Sequence, residues 1–180
     1  MKATNVQRYT RPAIALHWLI AVAILGLIGL GWYMVDIPKN TPERGYFFNL
    51  HKSIGLTTGL FILLRLWWRA THMPPPLSVS LRVWERRLAT WTHRLLYVCM
   101  VLMPLSGYVA SNFTKFGVKY FGIELAPWGP ENKLVYGFFN SMHVFASYVL
   151  VALVALHIAG ALKHLMIDRD GEMQRMLPGS

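Results

Sequence analysis

Carboxylates are scarce in this 180-residue chain and cysteine is almost missing: eight Asp and Glu stand against eighteen Lys and Arg, beside a single cysteine, Cys99. One cysteine excludes a disulfide framework, and the absence of any Cys-x-x-Cys-His excludes covalent attachment of a c-type haem. Any cofactor has to be held by coordination alone. No repeat or low-complexity segment occurs. The basic start (Lys2, Arg8, Arg11) precedes an apolar block that is too long for a cleavable signal and lacks a small-x-small exit, which predicts an uncleaved anchor.

What the chain has is apolar length. More than half of its residues are hydrophobic, gathered into four blocks: Ala13–Val35, His51–Arg69, Leu88–Ala110 and Gly137–Lys163. Each is long enough to cross about 30 Å of hydrocarbon. The pattern predicts an all-α integral membrane protein, one four-helix bundle spanning residues 1–180 as a single domain. No Asp or Glu falls inside the four blocks. With four passes, Lys2, Arg8, Arg11, Arg65, Arg69, Arg82, Arg86, Arg87, Arg94, Lys163, Arg169 and Arg175 share one side, against Lys39, Arg44, Lys52, Lys115, Lys119 and Lys133 on the other. Cytoplasmic segments are richer in Lys and Arg, so both termini are expected to be cytoplasmic in a bacterial inner membrane. The net charge of +10 is then a topology signal, and it gives no ground for nucleic-acid binding.

Thr10 is placed to cap the first helix, with Pro12 near its first turn. Gly26, Gly29 and Gly31 thin its outer half, Gly31 standing fourteen residues after His17. That serves either a flat group approaching the backbone or close helix packing. Residues 36–49 read as an external connection, so that His51 opens the second helix, with Gly55 and Gly59 leaving room on the His51 face. Pro74, Pro75 and Pro76 hold the internal connection extended, and His72 within it is expected to be solvated. Pro104 is expected to kink the third helix. The connection from Ser111 to Tyr136 mixes aromatics with lysines, as a short interfacial helix or a cap over the bundle would. Trp67, Trp68, Trp84, Trp91 and Trp128 fall near the expected interfaces.

Ionisable groups at bilayer depth are costly and mark function. His143 and His157 lie fourteen residues apart in one block. That spacing returns to within about 40° of the same helix face, about 21 Å further along the axis. Following the helix directions, His17 falls level with His157 at the inner side and His51 level with His143 at the outer side. Two imidazoles from different helices at one depth suit the two axial positions of a haem iron. A carboxylate-bridged di-iron site would need Glu inside the bundle, and tetrahedral zinc would need its ligands clustered. The residues therefore predict two b haems, bound by His17 with His157 and by His51 with His143. Arg65, fourteen residues after His51, is either a haem-propionate partner or a snorkelling anchor. His93 has no depth-matched free partner, and is assigned to a haem edge, a quinone or the connection. His164 lies seven residues after His157 on nearly the same face.

Ala-Leu-His17-Trp18, Leu-His51-Lys-Ser-Ile-Gly55, Arg65-Leu-Trp-Trp-Arg69, His93 with Pro104-Leu-Ser-Gly107, and His143 with His157 resemble the bacterial cytochrome b561 family over essentially the whole chain. That family belongs with the di-haem b subunits of nickel–iron hydrogenases. The resemblance implies four transmembrane helices and two b haems on His17, His51, His143 and His157. A characterised relative, superoxide oxidase, is similar in length and layout. It implies an oxidoreductase taking electrons from periplasmic superoxide and giving them to ubiquinone, with His164 at the position of a quinone-contacting histidine. Lys52, Lys115, Lys119 and Lys133 would form a rim that steers the superoxide anion. Two other readings remain at this point. One is an anchor relaying electrons between a quinone and a hydrogenase or other redox partner; the other is a haem-free structural or transport bundle.

Overall fold

The computed structural model describes residues 8–76 and 81–178; Lys2 lies outside them. Four long helices dominate: α1 (Arg11–Asp36), α2 (Pro42–Thr71), α3 (Val83–Asn112) and α4 (Lys133–Lys163). Each is long and apolar enough to cross a membrane. Between α3 and α4 comes a two-stranded antiparallel hairpin, β1 (Val118–Tyr120) and β2 (Ile123–Leu125). After α4 the chain tightens into a π-helical turn, His164–Asp168, and a 3-10 turn, Met173–Met176. The architecture is the expected all-α membrane bundle. Outward faces are apolar and exposed, as at Val22, Leu60, Phe145 and Tyr148, which suits lipid.

The helices begin earlier than the hydrophobic blocks. Residues 36–49 are not one loop: only Ile37 to Thr41 separate α1 from α2, so His51 sits inside α2 and not at its start. The reason is local. The Thr41 hydroxyl accepts from Arg44 N–H at 3.3 Å, and Pro42 occupies the first turn, where its missing N–H is harmless. Arg44 then folds back on α1, donating to the Val35 carbonyl at 3.0 Å and to that of Ile37, which occupies carbonyls the helix end leaves open. Asn132 likewise starts α4 ahead of Gly137, its side chain accepting from Leu134 N at 3.0 Å and Val135 N at 3.1 Å. The longer α2 and α3 take in Glu43 and Glu85, but both lie in first turns. Thr10 holds the N-cap position of α1 without capping, because its hydroxyl accepts from Trp68 Nε1 at 2.9 Å. The α3 helix runs through Pro104 to Asn112.

Of the two expected forms of the connection 111–136, a short interfacial helix or a cap, the structure shows the cap, built as a hairpin. Phe121 and Gly122 form its two-residue turn with φ of 47° and 92°, the mirror-image turn geometry that matches strand twist. Ser53 of α2, 1% exposed, fastens it. The Ser53 hydroxyl lies 2.8 Å from the Asn49 carbonyl and 3.1 Å from the Lys119 carbonyl, and accepts from Phe121 N–H at 2.9 Å. Lys52 donates to the Gly117 carbonyl at 2.8 Å, and Tyr120 shares a hydrogen bond with Thr57 at 3.0 Å. The hairpin thus caps one end of the bundle, here the hairpin end; the first and last described segments meet at the opposite, terminal end, where Tyr9 N–H donates to the Arg175 carbonyl.

In the bundle, α1 packs along α2 and α3 along α4, and α2 and α3 join the two pairs. By backbone approach α4 stands off from α1 and α2. Side chains bridge that separation, and several of them are histidines.

Replacing Ser53 by alanine strands the Phe121 N–H. The expected cost is about 1–3 kcal/mol, read as a lowered thermal midpoint together with faster proteolysis in residues 117–125.

Candidate functional site

Two imidazole pairs cross between α4 and its distant neighbours. At the terminal end, His17 of α1 faces His157 of α4 with ring centroids 6.1 Å apart and planes at 78°. At the hairpin end, His51 of α2 faces His143 of α4 at 6.3 Å, again at 78°. Two imidazoles binding one metal from opposite sides, each through a nitrogen at about 2.0 Å and a ring half-width of about 1.2 Å, have centroids about 6.4 Å apart. Both pairs meet that spacing. Ring planes may rotate freely about such an axis, so an angle of 78° is no obstacle.

Each pair is held by its surroundings. His143 Nδ1 lies 2.9 Å from the Met103 carbonyl and 3.3 Å from Ser106 Oγ. A carbonyl only accepts, so Nδ1 carries the proton and Nε2 keeps its lone pair, the state a metal needs. Ser106 is fully buried, at 0% exposure. Gly107 is required beside it, since a Cβ there would stand 3.1 Å from two atoms of the His143 ring. Gly31 of α1 plays the same part more loosely for His51, at 3.5 Å. His51 Nδ1 is buried without a hydrogen-bond partner among the described residues, which makes His143 the better oriented of the two. Contrary to the sequence expectation, Gly59 leaves no room for a ligand: it lies against Pro104, where a Cβ would come within 3.0 Å, and serves the α2–α3 packing. Gly55 has open space beside it.

Four further residues singled out by the sequence have defined surroundings. His93 lies 5.3 Å, ring to ring, from His157, which already faces His17, so it has no free partner at that depth. That is about 1 Å too close for two rings on opposite sides of one metal, so His93 packs against His157. Its signal was available: Gly107 follows His93 by fourteen residues, the spacing already used for the other helices. His72 is exposed, as expected, and closes α2, where it stacks on Trp68 at 3.8 Å and 2°. Arg65 reaches α1, donating to the Ala13 carbonyl at 2.7 Å. His164 sits in the π-helical turn with Nδ1 2.8 Å from Asp170 Oδ2 and 3.1 Å from Asp168 Oδ2, while Asp168 also binds Lys163 at 2.5 Å.

Comparison with known proteins matches residues 8–179 to the family described as prokaryotic cytochrome b561. The chain belongs to the prokaryotic cytochrome b561 family. It is 31% identical over 183 residues to cytochrome b561 homolog 2 of Escherichia coli K12, covering 98% of this chain and 95% of the relative. Cytochrome b561 homolog 1 of the same organism is 22% identical over 177 residues, covering 96% and 98%, and cytochrome b562 of Cereibacter sphaeroides is 25% identical over 178 residues, covering 97% and 98%. As a member of the cytochrome b561 family the chain is an electron-transfer membrane protein of bacterial type that binds b haem. The four-helix scaffold and the metal-compatible imidazole spacing fit that cofactor.

The two glycines separate packing from propensity. A helical Gly→Ala change gains about 0.5–1 kcal/mol where space allows, whereas overpacking costs about 1–3 kcal/mol. Gly31→Ala is expected to leave the thermal midpoint of the purified protein unchanged or higher, and Gly107→Ala to lower it.

Proposed function

We propose that this cytochrome b561 holds two b haems, one on His17 and His157 and the other on His51 and His143, and oxidises superoxide at the hairpin end while reducing ubiquinone at the terminal end. The observation that carries this reading is the repeat of one imidazole geometry, 6.1 and 6.3 Å, at two levels of α4 fourteen residues apart. Held by those four histidines, haem would supply one-electron transfer of the outer-sphere kind. In balance, two superoxide anions each give up one electron and leave as dioxygen, and ubiquinone takes two electrons and two protons.

The polypeptide's part lies at the two ends. The division of twelve Lys and Arg against six that the sequence predicts for the two sides supports a cytoplasmic terminal end by the positive-inside rule. The hairpin side then faces the periplasm, where superoxide would arrive. Its six cations stand against Asp36, Glu43, Glu124 and Glu131, so the field there is only weakly positive. Lys119 is paired with Glu124 at 2.7 Å, and Lys52 is turned onto the hairpin backbone. Lys115 and Lys133 are left to do most of any steering. At the terminal end Asp170 fixes the His164 ring through Nδ1, and His164 is the group placed to hand a proton to a quinone oxygen.

Two measurements test this. Haem counting on single His→Ala variants should find one haem left in each of the His17, His157, His51 and His143 variants, the same haem being lost within a pair. Stopped-flow reduction by superoxide should be fast in the unchanged protein, slow with rising salt, and fall when Lys115 and Lys133 are both neutralised. A preparation with two haems that superoxide does not reduce would favour the anchor reading, which co-purification of a redox subunit would support. A protein with no b-type absorption bands would favour the haem-free bundle.

A further inference from the structure

Each helix carries one position per level at fourteen-residue spacing: His17 and Gly31 on α1, His51 and Arg65 on α2, His93 and Gly107 on α3, His143 and His157 on α4. The contacts agree with this register. At the hairpin-end level each imidazole is backed by a glycine, Gly31 against His51 and Gly107 against His143. At the terminal-end level the two flanking positions hold Arg65 and His93 instead. The levels therefore match in their paired imidazoles and differ in charge.

Arg65 is fixed in place. The Ala13 carbonyl it binds at 2.7 Å belongs to the residue one helical turn before His17, so the guanidinium is tied to rigid backbone beside the terminal-end pair. Among the described ion pairs none involves Arg65, and the cleft beside it is lined by Arg8, Arg69 and His72 but by no carboxylate. A guanidinium carries a permanent positive charge. The nearest cation in sequence to the hairpin-end pair, Lys52, is about 100° round the helix from His51, and its ammonium is held by Gly117 in the cap.

We infer that the fixed charge of Arg65 makes the terminal-end haem the better electron acceptor of the two, so that the protein itself sets the direction of transfer from the hairpin end to the terminal end. Reduction adds one negative charge, which a nearby cation in a medium of low dielectric stabilises. At about 10 Å and an effective dielectric constant of about 20, one unit charge changes the partition of an electron on the order of tenfold. For a one-electron couple that is about 59 mV. The inference rests on the two-haem reading above.

The test is a spectroelectrochemical redox titration of the purified holoprotein, unchanged and as Arg65→Gln and Arg65→Lys, each also in a His51→Ala background that leaves the terminal-end haem to be read alone. Arg65→Gln should lower the potential of the terminal-end haem by the equivalent of about tenfold in occupancy, leave the other haem in place, and be largely restored in Arg65→Lys. Two bound haems with neither potential moved, or both moved equally, would overturn the inference. Loss of the terminal-end haem from Arg65→Gln would overturn it too, because Arg65 would then hold the group and not tune it. Fewer than two haems in the unchanged protein would instead defeat the two-haem reading, and that is visible before any variant is made.

Discussion

The structure depends on α4 presenting imidazoles to two different helices at two depths. A buried imidazole needs a partner, and a pair brought to about 6 Å from separate helices cannot be satisfied by the backbone of either helix. The α4 helix can stand off from α1 and α2 because it packs along α3 instead. Glycine is spent where the rings need clearance, at Gly107 and Gly31. Small polar residues are spent where a ring needs orienting, at Ser106 beside His143.

Standing off raises a mechanical problem. With little direct packing of α4 on α1 or α2, their axial register along the shafts is set indirectly, through α3, and a slip of one residue, about 1.5 Å, would bring the imidazoles out of level. The ends supply the ties. At the hairpin end, Ser53 and Lys52 of α2 fasten the segment that leads into α4. At the terminal end, Trp18 of α1 donates to the Met176 carbonyl at 2.7 Å and Tyr9 N–H to the Arg175 carbonyl at 3.3 Å. Arg175, 5% exposed, also reaches the Pro76 carbonyl at 2.7 Å. The tail after α4 therefore joins α1, the α2–α3 connection and α4, which matters most for His17 and His157.

The bundle and its four principal histidines were legible because two strong regularities coincide. Apolar length marks the spans, and alternating helix direction turns the fourteen-residue spacing into depth, pairing 17 with 157 and 51 with 143. The same spacing places His93 and Gly107, but reading histidines alone hides a position where one of the two is glycine. Helix starts were misplaced because hydropathy sees the hydrocarbon-length portion, whereas Thr41 with Pro42 and Asn132 begin helices in polar sequence. The hairpin escaped because its turn is Phe121-Gly122, an aromatic in a left-handed conformation, which few turn signals anticipate. His72 is exposed as expected, and its stacking on Trp68 was not foreseen because a contact between a helix end and its cap residue leaves no mark in hydropathy.

The two ends differ in ways that suit different chemistry. At the hairpin end the polar groups are committed to structure, Lys52 to Gly117 and Lys119 to Glu124, leaving a rigid cap suited to an electron donor that reacts without binding. At the terminal end α4 leaves its regular course in a π-helical turn, a feature frequent at functional sites, and the turn brings His164, Asp168 and Asp170 within 4.8 Å of one another. Lys163 bridges Asp168 to Glu85 of α3 at 2.8 Å, so one carboxylate is occupied by an ammonium while Asp170 is left to the imidazole. Proton uptake needs a group that can hold a proton and a neighbour that holds the group still. Within the described residues His164 and Asp170 offer that combination at the end where electrons would leave, whereas at the hairpin end Glu124 pairs with a lysine and Glu43 with a tyrosine.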